Sequence, residues 1–456
     1  MAKQRFTLRI FPQRRVFTAL RKSRILFGEN IGRDGSPVKK ARVWSRDFTC
    51  ITVTAILSAI GGEALNLPIS LLVFDETGST LASALIMVCG MLPDVVLPIF
   101  VAPLIDRSSK KPWVVSLDLM LGAVLLAMGW WIHGHAFHFA LYLGFTLAVG
   151  TISVFYRLAY QAWYPDLIPV GAEQQGYAVS STVYPVIAMT MAPVAALMYE
   201  RVSMSVIFWV ASALVLLSVA VEMAIRERGA AKADSYSFRQ YREDLLGGFR
   251  YLRKEKGVRN IYCYMAVTNG ASSGTTVLMQ AFFQTAPWLG AALYGVTTSA
   301  EMLGRSLGGM IQYKVQIPVK KRFAFTKFVY GFYTAMEAIV LLLPYPLILL
   351  NRFLCGALGV TSATIRESAV QCYLQPDMRA RVNALFSVIL SLGCILCQLG
   401  AGALGQVMDY RLAVLILCAI NTAGILWFIV RPGKDNRPVY EATRESSSTK
   451  PTEVCS

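Results

Sequence analysis

Long apolar runs joined by short polar connectors constrain this chain more than any other feature. Leu81 to Leu104 and Trp113 to Ile132 each reach the roughly 20 residues that cross a bilayer's hydrocarbon core as a helix. Similar runs extend from Asp47 to Phe74, Phe137 to Tyr156, Tyr177 to Leu197 and Met204 to Ile225. After a basic interval they resume at Asn260 to Gln284, Ala291 to Tyr313, Phe323 to Leu343, Leu347 to Ile365, Val382 to Leu404 and Leu412 to Val430. The residues are 55% hydrophobic and 16% charged, and this clustering excludes a soluble multidomain enzyme. The expected fold is all-α and integral to the membrane, with twelve transmembrane helices.

The net charge of +17 could point to nucleic acid, so its placement decides. Of the 44 Lys and Arg, 39 fall in the tails and in alternate connectors, whereas Arg201 and Arg411 are the two in the opposite connectors. That asymmetry is the positive-inside pattern, with both termini cytoplasmic in a plasma (inner) membrane. The excess charge then reports topology and attraction to anionic lipid, and no nucleic-acid partner is expected. Seven of the nine cysteines lie in apolar runs, where a thiol behaves as a small hydrophobe, so no disulfide framework is expected. Cys394 and Cys397 have redox spacing but sit inside an apolar run. The turn from His133 to His138 holds three histidines without an accompanying carboxylate or cysteine, which favours an interfacial turn over a metal site. No Gly-x4-Gly-Lys-Ser/Thr phosphate cradle occurs, so energy should come from a gradient rather than from ATP, and no cofactor is expected.

The pattern divides the chain into a basic cytoplasmic tail (1–46), a six-helix half (47–225), a linker (226–259), a second half (260–430) and a polar, disordered tail (431–456). Within the tail of 46 residues, cations alternate with apolar residues, which suits either an inner-leaflet segment or a disordered arm, and a cleavable signal peptide is not expected. In the linker, Phe238, Tyr241, Leu245, Phe249 and Leu252 recur at steps of three and four, predicting an amphipathic interfacial helix. Arg157, Gln161, Pro165 and Asp166 after the fourth run echo Arg366, Gln371, Pro376 and Asp377 after the tenth. The repeat implies two pseudo-symmetric halves with substrate held between them.

Between the second and third runs stands Ala102-Pro103-Leu104-Ile105-Asp106-Arg107-Ser108-Ser109-Lys110-Lys111. It resembles the major facilitator superfamily signature Gly-x-Leu-x-Asp-Arg-x-Gly-Arg-Lys, with Ala102 and Ser109 replacing glycines. Ala192-Pro193 resembles an alanine-substituted form of that family's antiporter motif. Tyr160 to Pro169, Asp244 to Leu252 and Met378 to Asn383 are similar to stretches of its macrolide-efflux and siderophore-exporter branch. The resemblance implies proton-driven efflux of a small amphipathic organic compound by alternating access, with the lipid bilayer and protons as partners and a monomeric chain. Uptake, or movement of a lipid or metabolite, is the alternative; a receptor or enzyme on this fold is the more distant one.

Ionisable residues inside membrane helices are costly, so Glu63, Asp94, Glu301 and Glu337 are candidates for the coupling proton or a substrate cation. The competing role for each is a structural polar contact. Asp94 follows Pro93, whose freed backbone groups could share its hydrogen bonds. Glu301 has Arg305 at i+4, while Glu337 has no cation within a turn. The resemblance further implies that Asp106 and Arg107 close an inner gate against the start of helix 11, where Arg379 and Arg381 could join, with Asp118 in the same network.

Overall fold

The computed structural model describes residues 44–98, 101, 105, 108–169, 172–226, 247, 249–314, 317–375 and 379–442. The basic arm, Asp106 and Arg107, and most of the linker stripe lie outside these residues. Secondary structure among them is helical throughout. The first half comprises α1 (Arg46–Thr77), α2 (Thr80–Val96), α3 (Lys110–Gly134), α4 (Phe139–Leu167), α5 (Glu173–Arg201) and α6 (Met204–Met223). The second comprises α7 (Lys256–Thr285), α8 (Ala291–Lys314), α9 (Val319–Ile339), α10 (Tyr345–Tyr373), α11 (Arg379–Val407) and α12 (Tyr410–Gly424), followed by α13 (Gly433–Tyr440). Nine of these are long and apolar enough to cross a membrane. Large apolar side chains such as Trp130, 75% exposed, and Val407, 77% exposed, face outward as lipid-facing groups would.

Local chemistry sets the helix ends. Gly78 closes α1 in the left-handed region (φ 61°), donating its N–H to Phe74 O, and Ser79 then caps α2 by accepting from Ala82 N. Proline does not stop α4 or α10 early. Arg157 and Gln161 belong to the last turns of α4, and Arg366 and Gln371 to those of α10, rather than to the connectors expected for them. α12 passes into a π-helical segment over Ile425–Val430.

The disordered tail expected from Arg431 is also corrected, because residues 433–442 fold against the second half. Asn436 donates to Phe428 O (2.7 Å) and Ile429 O, serving carbonyls at the π segment, and receives a bond from Asn260. Val439 and Tyr440 are buried beside α13's neighbours, and the Tyr440 hydroxyl meets that of Tyr330 at 3.0 Å. Burial pushes the Tyr440 phenol well above its ordinary range. The linker's end also packs, with Leu252 buried in the same cluster.

Packing follows the repeat. α1 packs on α5 and α6, α2 on α4, and α3 on α4 and α6; in the second half α7 packs on α11 and α12, α8 on α10, and α9 on α10 and α12. The halves meet through the symmetric pair α2–α11 and α5–α8. Because each half has six spans, both ends of the bundle emerge on one face, here the terminal face; the other is the distal face.

Among the described residues, the hydrogen bonds between halves lie toward the distal face. Ser70 donates to Gln280 (3.0 Å), Thr80 to Gly402 O (2.6 Å) and Ser299 to Met189 O (2.7 Å). Gln284 donates to Leu71 O and Asp75, Gln406 to Ser79, and the Ala292 N–H to Glu200. Small residues permit the approach: a Cβ on Gly295 would stand 2.7 Å from Ala192 O and 2.8 Å from Pro193 Cα. The Ala192-Pro193 step singled out in the sequence is therefore where α8 is seated on α5.

Candidate functional site

A cavity of about 770 Å³ lies within the first half. It runs from the level of Thr52 and Tyr164 near the terminal face to Ile69 and Leu125 toward the distal closure. Small residues of α1, among them Ala55, Ala59 and Gly62, leave the space, and tyrosines of α4 and α5 wall it. The apolar wall carries few polar groups, as small-molecule sites do. Its lining comes from α1 to α6, so this space belongs to one half, whereas the repeat predicts substrate room between the two.

Two of the four candidate carboxylates line this space, and the structure gives each a partner from a distant element. Glu63 accepts from the Tyr184 hydroxyl of α5 at 2.6 Å. Asp94 receives both Arg157 amino groups, at 2.5 and 3.3 Å, an α2–α4 ion pair in place of the backbone contacts expected after Pro93. The pair is bidentate, which fixes the planar guanidinium against the carboxylate.

The other two lie in the second half, in one network. Glu301 accepts from Arg305 at 3.0 Å, as their spacing implies. Glu337 is not without a cation: Arg352, from α10, donates to it at 2.9 Å and stands 3.8 Å from Glu301. Arg352 and Glu337 are both almost fully buried, at 3% exposure each, and the chain separation of 15 residues hid their contact. Two cations and two anions balance this cluster.

Asp118 stands in neither group. It is buried between α1, α3 and α6, receiving hydroxyls from Ser58 (3.0 Å) and Ser218 (2.9 Å), and its partners all belong to the first half. Arg379 donates to Leu374 O at the start of α11, and Arg381 belongs to that helix's first turn. At the terminal end of the first half, Lys111 donates to Met223 O (3.0 Å) and Ile225 O (2.7 Å), satisfying carbonyls at the end of α6. Lys110 pairs with Asp166 at 3.7 Å, joining the start of α3 to the end of α4.

Sequence reasoning passed over Glu222 altogether. It is fully buried on α6, with Asp118 and the Tyr156 hydroxyl as its polar neighbours. Its place near the end of an apolar run reads as an interfacial anion. The signal that could have found it is Ser218, one turn earlier on the same face.

The model of the Major Facilitator Superfamily matches residues 51–336, well over half of the chain. The chain belongs to that superfamily. It is 21% identical over 394 residues to the uncharacterized MFS-type transporter YvqJ of Bacillus subtilis (strain 168), across 81% of this chain and 89% of that one. Among solved structures it resembles the nucleoside transporter NupG (TM-score 0.66, 14% identity, 84% of this chain and 98% of that one). It also resembles a bacterial homolog of the human lysosomal transporter Spinster, solved inward-facing and unoccupied (TM-score 0.60, 12% identity, 88% and 96%). The protein is thus a multi-pass membrane transporter of the major facilitator type, not an enzyme, with the fold expected from its sequence.

Proposed function

We propose that this transporter exports a small amphipathic organic compound, of the drug, macrolide or siderophore kind, in exchange for protons. The observation that carries the reading is the cavity of the first half, apolar in most of its wall yet furnished with the Glu63–Tyr184 and Asp94–Arg157 pairs. A greasy body fits the first property and a polar or cationic substituent the second. Among the described residues the hydrogen bonds between the halves are distal, which supports access from the terminal face. With the termini cytoplasmic in the plasma membrane, as the basic connectors favour, that face is the one from which an exporter loads.

The opposite state requires a competing closure at the terminal face. Asp106 and Arg107, with Arg379 and Arg381, supply it: the start of α11 presents unsatisfied N–H groups and a positive dipole end to the Asp106 carboxylate. A contact made in one state and lost in the other is what shifts the equilibrium. Asp106→Asn is expected to favour the terminal-open state in spin-label distance measurements, and an unaltered distance distribution refutes the latch.

Everted membrane vesicles containing the chain test direction and coupling together. Energised vesicles are expected to accumulate ethidium or labelled erythromycin, and a protonophore should abolish the accumulation. Accumulation of either probe that ignores the protonophore refutes proton coupling; movement only out of the vesicles refutes export. The second reading is a nucleoside, the cargo in the name of a structural relative, and labelled uridine in the same vesicles tests it.

A further inference from the structure

We propose that Asp118 and Glu222 together form the proton-binding site of this transporter, two carboxyls holding one exchangeable proton at the wall of the first half's cavity. The inference rests on the proton-driven reading above and names the group that serves it.

Four other intramembrane carboxylates do not suit the task. Glu63, Asp94, Glu301 and Glu337 each have a fixed donor: Tyr184, Arg157, Arg305 and Arg352 respectively. Three of these donors are permanent cations already paired with their carboxylates. Asp118 and Glu222 differ in kind. They are buried at 1% and 0% exposure, from α3 and α6, and among the described residues no Lys or Arg pairs with either.

What faces them is also protic rather than cationic. α1 contributes the Ser58 hydroxyl, α6 the Ser218 hydroxyl, and α4 the phenols of Tyr156 and Tyr160. Lys111 comes near, but its ammonium is engaged by the carbonyls of Met223 and Ile225. Two carboxylates side by side in a dry site cannot both be ionised, so at least one proton stays with the pair. Placement of the hydroxyls makes Asp118 the acceptor of the two, since Ser58 and Ser218 both reach its Oδ2. Glu222 receives neither of these hydroxyls, which marks it as the partner that carries the proton.

A path to the cavity is present. Asp118, Ser58 and Tyr156 all line it, and the buried Tyr156 hydroxyl stands next to both Ser58 and Glu222. Arg157, the next residue on α4, holds Asp94 in the same cavity. A cargo that displaces Asp94 from Arg157 would move α4, and with it the phenol that covers the carboxyl pair. Proton loss leaves two buried anions in contact, which can be relieved by separating α3 from α6 or by admitting water.

Infrared difference spectroscopy on the full chain in lipid bilayers tests this without any substrate. At neutral pH the wild type is expected to show the C=O stretch of a protonated carboxyl, shifted in heavy water and bleached as the medium is made alkaline. Glu222→Gln should abolish that band; Asp118→Asn should retain it at an altered frequency, because its hydrogen-bond acceptor has changed. Glu337→Gln should leave it alone. A band unchanged by both Glu222→Gln and Asp118→Asn, or no band in the wild type, overturns the assignment. If either variant fails to reach the membrane, the other still decides.

Ethidium accumulation in everted vesicles separates the two readings. Gradient-driven accumulation that Glu222→Gln leaves intact overturns the carboxyl pair while proton-driven export stands. A wild type with the band but with gradient-independent transport overturns the coupling, not the proton site.

Discussion

Replacing Gly295 by alanine should open the distal face. The added Cβ would stand 2.7 Å from Ala192 O, 2.8 Å from Pro193 Cα and 2.9 Å from Ala196 Cβ. Two of those atoms are backbone, so no rotamer change relieves the clash, and α8 must withdraw from α5. Overpacking of this kind costs about 1–3 kcal/mol. In the proposed transport cycle the cost falls on the distal-closed state alone, because α5 and α8 would separate there in the other state, so the population ratio should shift by about 5- to 150-fold. Spin labels at Glu76→Cys on α1 and Trp288→Cys between α7 and α8, both exposed positions, report the distal separation. Gly309 is the control on the same helix, for an added Cβ there meets nothing within 4 Å. Gly309→Ala should leave the distances unchanged and stabilise α8 by about 0.5–1 kcal/mol. Identical distance distributions for Gly295→Ala and the parent would show that the α5–α8 contact does not hold the closure.

Two stability measurements test other contacts. Arg352→Ala strands Glu337 in the second half and should cost about 3–5 kcal/mol, whereas Arg305→Ala, whose side chain is half exposed, should cost no more than about 1 kcal/mol. Equal melting temperatures for the two in detergent would contradict the buried network. Asn436→Ala removes the donor that serves Phe428 and Ile429 and should lower stability by about 1–3 kcal/mol; an unshifted melting temperature would show that α13 does not brace the π segment.

The architecture was legible because lipid enforces a simple code. Backbone polar groups must be satisfied within each span, so span length and spacing reveal helices directly, and the positions of Lys and Arg give their alternation. Length and hydropathy foretold twelve spans. Spacing also exposed the Glu301–Arg305 pair, because i and i+4 share a helix face. Connectors were less readable: Arg157 and Arg366 are polar enough to end an apolar run, yet nothing near them stops a helix. The residues after Arg431 read as a polar tail because their reason to fold, the carbonyls of Phe428 and Ile429 and the hydroxyl of Tyr330, lies elsewhere in the chain.

Sequence by itself determined a two-part helical membrane protein, since periodicity, length and local charge are properties of one segment at a time, and its short motifs carried the likeness to the major facilitator superfamily. Tertiary structure alone decided which carboxylates have partners. Arg352 reaches Glu337 across 15 residues, Arg157 reaches Asp94 across 63, and Asp118 comes to lie beside Glu222 across more than 100. Neutralisation of a buried charge depends on what another helix presents at the same depth, and that depth is set only when the bundle packs.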